Sequence, residues 1–213
     1  VNDVAPAADQ DAPVLVAGVA PVARLVVAAL LRAGRRVVGL VDPLDEPDSE
    51  PPEFATELAA ELATGRYVVT EDPAAAAGFT IALVTEPSGD DAALSPAERY
   101  TAALAAELRP GGLLVVASPT AEHTGGVVAA TVELLTGLRA GTDYDLAQLF
   151  GPVPNGRLIV SGVDVASATR AEEWLVGLGL PVMPVLPLAA AEVVAGLLAR
   201  AARPDDETDP GGG

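Results

Sequence analysis

The chain has 213 residues, half of them apolar and only 3% aromatic, and its net charge is −18 with a pI near 4.1. That length suits one domain whose core is built from small aliphatic side chains. A surface this negative repels phosphate backbones and anionic lipid, so neither nucleic-acid nor membrane-surface binding is expected.

The chain has no cysteine, and all twelve basic residues are arginine, with no lysine. Disulfides, thiolate metal sites and a thiol nucleophile are therefore excluded. A single histidine and scattered carboxylates give no metal-ligand spacing, so no metal is expected. No apolar run reaches the roughly 18 residues that span a bilayer. The acidic, Ala/Pro-rich start is unlike a signal peptide, so a cytoplasmic location is the expectation.

In chain order, residues 1–12 are expected to be a disordered tail, residues 13–202 one folded domain, and residues 203–213 an acidic, glycine-rich disordered tail. Residues 13–17 form an apolar strand followed by Gly18-Val19-Ala20-Pro21. The next helix places Val22, Leu25, Val26, Ala29, Leu30 and Ala33 on one face, and Gly34 ends it. Residues 37–41 form a buried strand and residues 42–52 an acidic, proline-rich loop. A helix over about 53–63 follows, then strands at 67–69 and 80–84. Ser95-Pro96-Ala97-Glu98 has the residues of a capping box, and it opens a helix that buries Tyr100, Leu104 and Leu108.

A strand at 113–116, a helix over about 125–138 and a strand at 158–160 come next. A helix over about 166–178 buries Ala168, Ala171, Leu175 and Leu178. A strand at 182–185 and a last helix over about 189–202 complete the series. Strands alternating with helices in this way give a doubly wound, mostly parallel α/β sheet of Rossmann type, ending in a long C-terminal helix.

Gly18 stands at the first position of a G-x-G-x-x-G turn, with Ala20 and Ala23 at the other two. The Ala20 methyl is expected to project toward the space of a pyrophosphate, and Pro21 removes one N–H from the helix N-terminus. Alternatively, Gly18-Val19-Ala20 is an ordinary strand-to-helix turn. Asp42 is the candidate carboxylate for an adenosine ribose, one residue beyond the position that normally carries it. It serves the ribose if the strand bulges, and otherwise Asp42-Pro43 simply starts a turn. Glu86, Asp90, Asp91 and Glu122 follow strand ends, where open α/β sheets bind ligands. They repel a pyrophosphate unless Arg35, Arg36 or Arg157 compensates. His123 has no Ser-His-Asp surroundings and reads as a loop residue.

Several blocks resemble the nucleotide-binding half of the UDP-glucose/GDP-mannose dehydrogenases: residues 14–18, Arg32-Ala33-Gly34-Arg35-Arg36-Val37-Val38-Gly39 and Ala63-Thr64-Gly65-Arg66-Tyr67. Leu138-Arg139-Ala140-Gly141-Thr142-Asp143-Tyr144-Asp145-Leu146 is similar to the link into that family's sixth strand, and Val160-Ser161-Gly162-Val163-Asp164 to its I-V-G-G-x-D segment. The likeness runs from about residue 14 to 200. It implies NAD as cofactor, held weakly or vestigially through Gly18, Val19, Ala20, Asp42 and Arg35.

The family oxidises a sugar alcohol in two steps with a cysteine nucleophile and a lysine, and departures from its pattern fall at those functions. Its V-P-T-P reads Val84-Thr85-Glu86-Pro87, and its S-T-V-x-P-G-T loop reads Ser118-Pro119-Thr120-Ala121-Glu122-His123-Thr124. Its S-P-E-R aligns with Leu149-Phe150-Gly151-Pro152, putting glycine at the carboxylate. Its A-E-x-x-K-x-x-x-N keeps Ala191-Glu192 and has Ala195 and Ala199 for lysine and asparagine.

No residue is therefore assigned a catalytic role. The expectation is a dehydrogenase-like protein, inactive alone, acting as partner or regulator in sugar-polymer metabolism. The alternatives are an NAD-dependent subunit completed by another chain and a ligand-free interaction module. The family's linking helix also builds its dimer interface. The resemblance, with apolar Val193, Val194, Leu197, Leu198 and Ala202, implies a homodimer through Glu192 to Ala202; alternatively, this helix docks only on its own sheet.

Overall fold

Strands β1 (Val14–Ala17), β2 (Val37–Leu40), β4 (Ile81–Thr85) and β5 (Leu113–Ala117) are buried along their whole length. All but Gly39 and Thr85 are aliphatic, the composition of strands covered on both faces. With β3 (Tyr67–Thr70), β6 (Asp145–Phe150), β7 (Leu158–Gly162) and β8 (Val182–Pro184) they form one sheet ordered β3-β2-β1-β4-β5-β6-β7-β8. The computed structural model describes residues 12–18, 20–42, 52–85, 95–117, 124–151, 156–184, 190, 191, 193 and 194. Strands β1 to β6 are mutually parallel, in the order of two βαβαβ halves meeting between β1 and β4. This is the doubly wound architecture expected from the sequence.

Helices α1 (Pro21–Arg32), α2 (Pro52–Thr64) and α5 (Val165–Gly177) contribute to the core on one sheet face, where Val26, Leu30, Leu58, Ala171 and Leu175 meet Val14, Leu83 and Val115. Helices α3 (Pro96–Leu104) and α4 (Thr124–Thr136) cover the other face, with Tyr100, Leu104, Val128 and Val132 on Leu15, Val84 and Val116. Neighbouring strand residues alternate between the two clusters because successive side chains leave a strand on opposite faces.

The capping box forms: Glu98 N–H donates to Ser95 Oγ at 3.2 Å, and Ser95 N–H to Glu98 Oε2 at 2.8 Å. Three expected inward positions differ. Ala33 is exposed as the cap residue of α1, and Leu25 in α1 and Leu178 just beyond α5 are only partly buried against the core.

Strand β6 has no counterpart in the pattern-based reading, although the family resemblance places a sixth strand there. Asp145 and Gln148 interrupt its apolar run, yet tertiary partners absorb Asp145. Arg170 Nη1 donates to Asp145 Oδ2 at 2.5 Å, and the Ser167 hydroxyl to Oδ1 at 3.2 Å. Only residues 151–157 separate β6 from β7, too few for a crossover, so β7 pairs antiparallel. Strand β8 then returns parallel to β7 through α5. Its Pro184 is tolerated at a sheet edge.

The expected last helix lies largely outside the described residues. Ala190, Ala191, Val193 and Val194 are helical, and Ala191 packs with Phe150 and Ile159 in a small satellite cluster. The expected loop over 42–52 is described only at Asp42 and Pro52, and of the expected tails only Ala12 is described.

Gln148 and Ser161 stand opposite each other on β6 and β7, 1% and 0% exposed. The amide oxygen and nitrogen of Gln148 and the Ser161 hydroxyl all lack a hydrogen-bond partner. Gly125 lets the first turn of α4 press on this pair: a Cβ there would lie 2.9 Å from Gln148 Nε2. Each unmet group costs about 1–3 kcal/mol, whereas apolar replacements of similar shape carry no such cost. The double variant Gln148→Leu, Ser161→Ala is therefore expected to gain about 1 kcal/mol or more of stability. Urea unfolding checks this, and a loss would show that something satisfies the pair in solution.

Candidate functional site

Open α/β sheets bind ligands outside the strand C-termini, where the strand order reverses. Here that point lies between β1 and β4, and Gly18, Asp42 and Thr85 stand at its rim.

Gly18 adopts φ +94°, a conformation L side chains rarely take. Its N–H donates to the Leu40 carbonyl at 3.0 Å, tying the turn to β2. A Cβ at Gly18 would collide with the Thr85 hydroxyl and come within 3.0 Å of the Thr85 carbonyl. Thr85 is held there because its hydroxyl donates to the Ala17 carbonyl at 3.0 Å. The turn is thus built for close backbone packing against β4.

Ala20 is only 5% exposed and belongs to the core cluster on the α1 face. The expectation that its methyl projects into the crevice is corrected accordingly. Pro21 occupies the first turn of α1, and the N–H groups of Ala23 and Arg24 both reach the Ala20 carbonyl, at 2.8 and 3.4 Å. The helix N-terminus therefore has fewer donors for an anion than an uncapped first turn offers. Val19 lies outside the described residues.

Asp42 lies two residues past the end of β2 and is engaged from α3. Arg99 Nε donates to Asp42 Oδ2 at 2.8 Å, with both side chains 17% exposed. The Asp42 N–H donates to the Tyr100 hydroxyl at 2.9 Å, and the Tyr100 ring also backs Gly18. One turn of α3 thus fixes both the main chain and the carboxylate of Asp42. Sequence reasoning places Tyr100 in the core, correctly, but misses the role of Arg99. Nothing local distinguishes that arginine from a surface residue, because its partner is 57 positions away.

Arg35 does not join this site. It precedes β2, at the opposite edge of the sheet, and its Nη2 donates to the Ala12 carbonyl at 3.1 Å. A strand length of roughly 13 Å separates the two edges. The structure therefore corrects its assignment to the cofactor set, and Arg36, beside it, is on the same wrong edge. Arg157 enters antiparallel β7 and so lies on the crevice edge, but β4, β5 and β6 separate its strand from β1. Glu86, Asp90, Asp91, Glu122 and His123 lie outside the described residues.

At the position aligned with the family carboxylate stands Gly151, immediately after β6 with φ +110°. Among the described residues no group of three or more His, Asp or Glu could hold a metal. Among them, too, no helix is long and apolar enough to cross a membrane.

No protein-family profile matches the chain. It is 33% identical over 134 residues to the UDP-N-acetyl-D-mannosamine dehydrogenase of Pyrococcus horikoshii, an alignment covering 57% of this chain and 32% of that protein. The solved structure of UDP-D-ManNAc dehydrogenase from P. horikoshii superposes with a TM-score of 0.72 at 24% identity, covering 86% of this chain and 49% of the other. GDP-mannose dehydrogenase from Pseudomonas aeruginosa gives 0.68 at 19% identity, covering 85% and 48%. UDP-glucose dehydrogenase from Pyrobaculum islandicum gives 0.66 at 20%, covering 89% and 49%. The chain thus spans about half the length of these solved structures and a third of the curated relative.

Because Gly18 combines positive φ with a crowded Cβ position, Gly18→Ala is expected to cost about 2–4 kcal/mol, the sum of left-handed strain and overpacking. Thermal unfolding against the parent measures it. A loss well under 1 kcal/mol would show that the turn relaxes without β4.

Proposed function

We propose, from the premise that this chain is a relative of the UDP-sugar and GDP-mannose dehydrogenases, that it is a weak dinucleotide-site protein of sugar-polymer metabolism. In this reading it does not oxidise a sugar nucleotide by itself and serves as partner or regulator of a pathway that uses them. The observation that carries the reading is the engagement of Asp42 by Arg99 beneath an otherwise well-formed Gly18 turn. The Gly18 turn keeps the tight backbone path of a Rossmann opening, and an Asp42 carboxylate already bonded to a guanidinium is not free to take a ribose. NAD enters this proposal as a weak ligand only.

The chemistry of the chain supports the same reading. Neither a thiol nor a lysine exists in these 213 residues, and Gly151 stands at the aligned carboxylate position. A thiohemiacetal of the second oxidation therefore has no nucleophile here. Self-association through the segment from Glu192 to Ala202 belongs to this proposal as well, and Val193, 62% exposed, is one apolar residue available to it.

Two outcomes follow for the purified chain. With NAD and saturating UDP-glucose, UDP-N-acetylmannosamine or GDP-mannose, NADH absorbance does not rise above a heat-killed control. Turnover would overturn the inactive reading. Calorimetric titration with NAD gives a Kd of about 1 mM or weaker, at most roughly 4 kcal/mol of binding. A micromolar constant would show that the site is intact.

A further inference from the structure

Asp42 and Arg99 together do more than brace the crevice. The 2.8 Å bond between Arg99 Nε and Asp42 Oδ2, with both side chains 17% exposed, joins two opposite charges, whereas a ribose hydroxyl brings only a neutral donor to the same carboxylate. A ribose that took Asp42 Oδ2 would have to displace the Arg99 guanidinium from it, exchanging a partly buried ion pair for a neutral diol. The geometry also keeps the pair in place. Arg99 and Tyr100 are consecutive on α3, Tyr100 receives the Asp42 N–H, and the capping box of Ser95 and Glu98, which directly precedes Arg99, fixes the start of the helix. The carboxylate is therefore positioned, oriented and occupied by the chain itself.

We propose that Arg99 controls nucleotide admission to this crevice: its bond to Asp42 is an intramolecular substitute for the ribose, and a ribonucleotide binds there only as that bond opens. This rests on the dinucleotide-site reading above and names the residue that sets its affinity. Arg99 acts through Asp42, as a positioning residue. A bond that merely braced the fold would change stability without making affinity depend on a ribose hydroxyl.

The test uses the full 213-residue chain and calorimetric titration with ADP and 2′-deoxy-ADP. Arg99→Met keeps the aliphatic stem and removes the guanidinium, and circular dichroism checks that it is folded. Arg99→Gln takes its place if it is not. The expected result is ADP binding about tenfold tighter than in the parent, roughly the worth of one charge-assisted bond. That gain should disappear with 2′-deoxy-ADP and on adding Asp42→Asn. Equal ADP affinity in parent and variant, or a gain that 2′-deoxy-ADP shares, overturns the control by Arg99 and leaves the nucleotide site standing. Absence of ADP binding to parent and variant alike at millimolar concentration overturns the site and the control together.

Discussion

A sheet buried on both faces imposes the conditions that the rest of this molecule meets. With 3% aromatic residues, the core must close through short Val, Leu and Ala side chains, and close packing leaves little room for error. Residues in register on β2, β1, β4 and β5 fall into the same face cluster: Val37, Val14, Ile81 and Leu113 on the α1 face, Val38, Leu15, Ala82 and Leu114 on the α3 face. With every central strand apolar on both sides, polar chemistry is pushed to the strand ends. The crevice residues Gly18, Asp42 and Thr85 stand there because the strands have no other place for them.

That displacement explains how the crevice retains its shape while its charge is spent internally. The Gly18 turn is fixed from three sides, by the Leu40 carbonyl, by Thr85 and by the Tyr100 ring. These contacts are neutral and geometric, and they survive without a ligand. Asp42 is the one described acidic group at the β2 end, and α3 supplies its countercharge. In a protein of net charge −18, an arginine bonded to Asp42 is less available to a pyrophosphate. The shape and the electrostatics of the site therefore point in different directions.

The antiparallel end of the sheet follows another constraint. The short connection after β6 turns β7 back, and the facing Gln148 and Ser161 are enclosed between the core under α3 and α4 and the satellite cluster around Phe150, Ile159 and Ala191. Their polar atoms are unmet in a region otherwise apolar, which makes this end the least settled part of the described core.

The sheet class and most elements are legible in the amino-acid order alone, because their signals are local. Apolar runs mark buried strands, the three-and-four spacing marks α1, and Ser95 with Glu98 marks the start of α3. The resemblance to nucleotide-sugar dehydrogenases was likewise carried by contiguous blocks. What sequence could not supply were pairings across distance: the ion pair of Asp145 in β6 with Arg170, and the bond of Asp42 to Arg99. The charge of Arg35 makes it a candidate to balance the loop carboxylates, yet the four residues of β2 separate it from the crevice edge of the sheet. Motif position puts Ala20 beside a pyrophosphate, and the packing of α1 makes it core instead. Periodicity records which face a residue takes, because backbone geometry repeats locally. Which end of a strand it occupies, and which distant charge meets it, is decided only when the strands assemble.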